Sequence, residues 1–221
     1  MTTTSQERID TRVPGVALIA SSVLAVMAMT HHPAPASDDF AAWARNVERI
    51  AAVNQAVHGA IIALVGVLTW ALTVFAIRRG VHRSLVSLGL VAWAIGAGSM
   101  IIAPVLNGFV VTHIARQAVA SPERIDLLRM VLQAMLAADR VIAVIGALAM
   151  SAAIVSWSAD LTSAAGGARR VGLFGSAAGL VPLAALSTGL IHLDVHGMTL
   201  VLIAWTVWLV AIGVLMIQRN V

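Results

Sequence analysis

The chain has 221 residues, of which 60% are hydrophobic and 11% charged, whereas soluble domains sit near one half and one quarter. A soluble fold cannot hide that much apolar surface, but a bilayer accepts it. Cysteine is absent, which excludes disulfides, thiolate metal sites, iron–sulfur clusters and covalent c-type haem, and the absence of lysine excludes a Schiff base. The net charge of +4 comes from arginines scattered between apolar runs, a placement that fits membrane orientation and not nucleic acid.

Residues 1–12 read as a polar tail, and residues 14–30 as a first apolar run long enough to span, since about 17–25 residues are needed. Ala34-Pro35-Ala36 resembles a small-residue cleavage site, but Glu7 and Asp10 do not suit a signal peptide, so a membrane span is expected. Ser37 is the expected N-cap of the next helix. From Phe40 through Trp43, Val47, Ile50, Asn54, Val57 and Ile61 one apolar face recurs at three- and four-residue steps. That periodicity predicts a single long helix, an extension over 38–54 that runs into a second span over 55–77.

A third span over 84–106 carries Gly89, Gly96 and Gly98, small residues that admit a close neighbour, and ends near Pro104 and Asn107. The pattern continues to about Ala120, and Ser121-Pro122-Glu123 signals a new helix start. Together 107–137 read as a second extension that leads into a fourth span over 138–157. A Ser/Ala/Gly loop is expected from Asp160 to Arg170, then spans over 171–191 and 197–217. The fold class is therefore all-α: a single polytopic membrane domain of six transmembrane helices, with helices 2–4 extended on the extracytoplasmic side.

Orientation follows from the arginines. With both termini inside, the cytoplasmic segments hold eight arginines and three acids, and the outer segments six arginines and seven acids. Arginine-rich short loops face the cytoplasm, so the chain is expected in the cell membrane, such as a bacterial inner membrane, with cytoplasmic N and C termini.

The stretch Gly189–Met198 is the polar turn of a hairpin, and it holds two histidines and an aspartate. Counting back from the inner arginines, His31 lies 19 residues after Arg12, His58 20 before Arg78, His192 22 after Arg170 and His196 23 before Arg219. At 1.5 Å per residue each separation is roughly 28–35 Å, about one hydrocarbon thickness. His31, His32, His58, His192 and His196 are thus expected at one outer plane, with Asn54, Asn107, Asp139, Arg140 and Asp194.

Imidazole is the commonest metal ligand, and His192 and His196 are four apart, a spacing zinc sites use when the segment is helical. Asp194 either joins the metal or caps the last helix. Met27, Met29 and Met198 beside the imidazoles favour copper, and a b-type haem between two histidines fits the same residues. The expected metal set is His58, His192, His196, His31, His32 and Asp194, serving redox chemistry, metal handling or hydrolysis. The competing readings are interfacial histidines, with Asp139–Arg140 a plain ion pair, or a proton relay. The alternative function is a non-catalytic membrane subunit or small transporter whose extensions bind a partner subunit or a second copy.

Overall fold

The computed structural model describes residues 10–32, 37 and 39–220. Residues 1–9, 33–36, 38 and 221 lie outside the described set, among them the cleavage-like Ala34-Pro35-Ala36. No strand occurs among the described residues, and six helices are long and apolar enough to cross a membrane, so the chain is an all-α polytopic membrane protein.

The elements are α1 (Arg12–Thr30), α2 (Phe40–Arg49), α3 (Ala51–Arg79), α4 (Ser84–Pro104), a π-helical segment (Val105–Val110), α5 (Val111–Ala120), a 3₁₀ turn (Pro122–Arg124), α6 (Ile125–Thr162), α7 (Gly166–Ser187) and α8 (Val195–Ile217). At 1.5 Å per residue α6 is about 57 Å long, well beyond a hydrocarbon core of about 30 Å. The two ends of the bundle differ in chemistry. One holds His32, His58 and Asp139 and is called here the histidine end; the other holds Arg79, Arg83 and Asp160.

The expected continuous helix over 38–77 is broken. Ile50 leaves helical geometry at φ −100°, ψ 8°, so α2 and α3 are separate. The break lets the amphipathic α2 turn onto α5, where Ala44 and Val47 bury against Ala115 and Ala118. Phe40 stacks on Trp43 at 5.6 Å, and both remain half-buried. The apolar stripes of the two extensions are thus largely spent on each other. The N-cap is Asp39 and not Ser37: its carboxylate accepts from the Ala41 and Ala42 backbone N–H at 3.2 and 3.0 Å. Asp39→Ala should cost about 1 kcal/mol locally, and hydrogen exchange of the Ala41 and Ala42 amides should rise while α6 protection stays unchanged.

The six long helices close a ring in chain order, each packed on the next and α8 returning onto α1. Glycines make the tight seams. A Cβ at Gly89 would meet the Trp157 ring at 2.5 Å, and one at Gly172 the Ser158 carbonyl at 2.7 Å. Gly98, expected on the same close-packing face, has open space around it.

Inside the ring, toward the arginine end, Trp157 contacts Phe75 edge-on at 5.9 Å and stacks parallel to Trp208 at 6.2 Å, with Trp93 at 6.0 Å. The Trp157 indole donates to the Val86 carbonyl at 3.1 Å, so this aromatic plug is dry and oriented. The expected loop from Asp160 to Arg170 is much shorter, since α6 runs to Thr162 and α7 begins at Gly166. Asp160 is consequently a buried helical residue, accepting from Arg79 at 2.6 Å and Arg83 at 2.8 Å. One end of the ring is plugged; the other is open.

Candidate functional site

The open end begins with a local fault in α4. Pro104 has no N–H to give the Met100 carbonyl, and the helix widens directly after it into the π segment. There the Val111 N–H reaches back five residues to the Leu106 carbonyl. The wider turn sets Gly108 against α3, where a Cβ would overlap His58 Cβ and stand 2.5 Å from its Cγ. Only hydrogen fits between that backbone and the imidazole.

Asn54, one turn before His58, fastens the same seam. Its Nδ2 donates to Thr112 Oγ1 at 3.1 Å and lies 3.4 and 3.5 Å from the Asn107 and Gly108 carbonyls. Its own carbonyl accepts from His58 Nδ1 at 2.7 Å. A carbonyl only accepts, so Nδ1 of His58 carries the proton and Nε2 of the neutral ring presents a lone pair. His32, at the end of α1, meets that lone pair with its own Nε2 at 3.1 Å, the rings edge to face. His58 is 2% exposed, so the pair is built into the protein and does not hang at its surface.

The pair sits in the wall of a central cavity of about 360 Å³. Its polar rim is His32, His58, Asn107, Asp139, Arg140 and Asp194; below it Ile61, Leu64, Val65, Met100 and Leu202 lead down to Trp93, Trp205 and Leu209. The deeper polar atoms are already engaged. Thr206 donates to the Ser22 carbonyl at 3.2 Å, Trp93 to Thr69 at 3.0 Å and Trp205 to Ser151 at 3.2 Å. The cavity therefore offers hydrogen bonds at its rim and apolar walls beneath.

Of the six residues expected to gather, His32 and His58 meet, and Asp194 shares the cavity with them. His31 is exposed and its Nδ1 bonds back to the Met27 carbonyl at 2.9 Å. His192 and His196 are exposed, and only His196 is helical, because Asp194 caps α8 by accepting from the Gly197 N–H at 2.8 Å. The helical premise behind their four-residue spacing therefore does not hold. Among the described residues no three His, Asp or Glu side chains stand close enough to hold one metal ion. Asp139 and Arg140 are neighbours that form no ion pair. No family model, curated protein or solved structure matches the chain.

The cavity itself was not legible in the sequence, and neither was the role of Trp93 in its floor. The seam was half-signalled: Pro104 followed by Asn107-Gly108 marks a helix fault, and Asn54 and His58 stand one turn apart on α3.

Proposed function

We propose that this protein binds a lipid-soluble, amphipathic molecule inside the membrane, its polar head at the His32–His58 rim and its apolar body against the walls below. The observation that carries this reading is the cavity, open at one end, polar at its rim and apolar beneath, closed at the other end by the Trp157 plug. Its volume falls at the small end of the range for ligand pockets, about 300–1,000 Å³. It thus encloses a head and the start of a tail, the remainder lying along the helices. The arginine end faces the cytoplasm in this reading, which turns the rim toward the outer leaflet.

The test is retention of a ligand by the protein in nanodiscs. Mass spectrometry of the extracted protein should reveal a neutral or weakly polar amphiphile above the bulk lipid composition. Ala143→Trp and Ala25→Trp, which fill the cavity from α6 and α1, should each remove most of it. Equal retention in wild type and both filled variants would overturn the reading.

A second reading keeps the metal. Adjacent ligands on one tetrahedral ion, with bonds of about 2.0–2.1 Å, stand about 3.3 Å apart, close to the 3.1 Å between the His32 and His58 nitrogens. Met29 lines the same cavity, a soft thioether that suits copper better than magnesium or calcium. Further ligands would have to come from water, from Asp139 or Asp194, or from the exposed His31, His192 and His196. A haem fits less well, because its two imidazoles belong on opposite faces of the iron. Element-resolved metal content of the untagged protein separates the readings: near-stoichiometric copper or zinc, lost in His58→Ala, supports the metal.

A further inference from the structure

The arginine end carries charge that its own acids do not neutralise. Among the described residues those acids are Asp10, which pairs with Arg219 at 3.7 Å, and Asp160, which accepts from both Arg79 and Arg83. Arg12, Arg78, Arg169 and Arg170 form no ion pair among the described residues. Arg169 and Arg170 differ from the rest in being consecutive, both exposed and near the start of α7. No acid occurs between Asp160 and Asp194 to answer them.

Consecutive helical residues point about 100° apart, so the two guanidiniums bracket one strip of the α7 surface. Along that strip follow Leu173, Ala177, Leu180, Val181 and Ala184, all exposed. No α7 residue lines the central cavity, so the strip is separate from it. From Arg170 to Leu180 the strip runs about 15 Å, the depth of one leaflet in a hydrocarbon core about 30 Å thick. Beside the arginines the surface is open, since a Cβ added at Gly166 would have nothing within 4 Å.

Two cations above an apolar strip on one helix face select a partner with an anionic head and a hydrocarbon tail. An acidic protein or a nucleic acid answers the arginines and leaves the strip. A zwitterionic phospholipid covers the strip, but its own ammonium already offsets its phosphate. We infer that this face of α7 binds an anionic phospholipid, with the phosphate between Arg169 and Arg170 and an acyl chain along Leu173, Ala177 and Leu180. The site stands apart from the cavity and does not depend on what the cavity holds.

The chain has no cysteine, so a single fluorophore can be attached at a chosen position. Ala177→Cys places it on the strip. Ile95→Cys places it on the exposed face of α4, eleven residues beyond the helix start in both cases. The probes are phosphatidylglycerol and phosphatidylcholine with a quenching nitroxide on the acyl chain, each doped into phosphatidylcholine nanodiscs. An arginine near an anionic membrane surface contributes about five-fold in affinity, so half-quenching at Ala177→Cys should need roughly ten-fold less labelled phosphatidylglycerol than labelled phosphatidylcholine. At Ile95→Cys the two lipids should quench equally. Arg169→Gln with Arg170→Gln should abolish the preference, and Arg169→Lys with Arg170→Lys should keep most of it. Ala143→Trp, which fills only the cavity, should leave it unchanged. Equal quenching by both lipids at Ala177→Cys, or the same preference at both reporters, would overturn the inference and leave the cavity reading standing. So would a preference that survives the glutamine pair, or one that inorganic phosphate displaces, since the latter marks a site for the free anion.

Discussion

Replacing Asp160 by alanine should destabilise the protein by about 3–5 kcal/mol, the cost of removing one partner from a buried ion pair. The Asp160 side chain is 3% exposed and Arg79 10%, and the Arg79 Nε and Nη2 both donate to one carboxylate oxygen, at 2.9 and 2.6 Å. Without the carboxylate, Arg79, its side chain only 10% exposed, keeps its charge and loses its ion-pair partner. Arg83 contributes less, because it is 38% exposed and retains the Ser163 hydroxyl at 3.2 Å. The loss belongs to the lone charge and not to the pair, so Arg79→Met combined with Asp160→Leu should recover most of it. Unfolding in mixed detergent, followed by tryptophan fluorescence, measures both variants, since Trp157 lies one helical turn from Asp160. A single variant within 0.5 kcal/mol of wild type, a bound set by ordinary surface substitutions, would mean that the clamp does not hold the arginine end closed.

That clamp shows where reading the sequence succeeds and where it stops. The six long helices were legible because lipid exposure and burial both demand apolar residues, and a run of about twenty cannot be mistaken. Of the layer expected from counting residues at the helix rise, His32, His58, Asn107, Asp139, Arg140 and Asp194 line one cavity. What depth cannot supply is rotation about each helix axis. His31 and His32 are neighbours in the chain, yet one turns outward and the other meets His58. His192 and His196 are four residues apart but do not share a helix, because the cap at Asp194 begins α8 between them. Asp160 read as loop for a related reason. Small and polar residues follow it, and nothing local reveals that Arg79, 81 positions earlier, stands opposite.

The aromatic plug and the clamp together fill the arginine end of the ring. Trp157 and Trp208 fill the ring's interior where Gly89 and Gly175 bring their own helices close, and Asp160 ties α6 to the end of α3 just below. At the histidine end no such filling exists, because Pro104 and the π segment divert α4 and the polar rim replaces large apolar side chains. The same ring is therefore dense at one end and hollow at the other. That asymmetry is what a binding site for a molecule arriving from the bilayer or from beyond the histidine end requires.

Two glycine-to-alanine changes nearly three turns apart should move stability in opposite directions. Gly98→Ala adds a methyl group where nothing lies within 4 Å, on an exposed position inside α4. The gain in helix propensity should stabilise the protein by about 0.5–1 kcal/mol. Gly108→Ala adds the same methyl group against His58 Cβ and Cγ, atoms fixed by the α3 backbone and by the 2.7 Å bond to Asn54. Neither side can yield alone, so the π segment and α3 must separate, at a cost of about 1–3 kcal/mol. Separation should also stretch the Asn54 contacts and pull His58 from His32, so retention of the cavity's ligand in nanodiscs should fall at least ten-fold, equivalent to about 1.4 kcal/mol. The pair of variants controls for the mutation itself, because both are Gly→Ala within the same run of helix. Should Gly108→Ala instead match Gly98→Ala in stability and in binding, the seam between His58 and the π segment would not be what shapes the site.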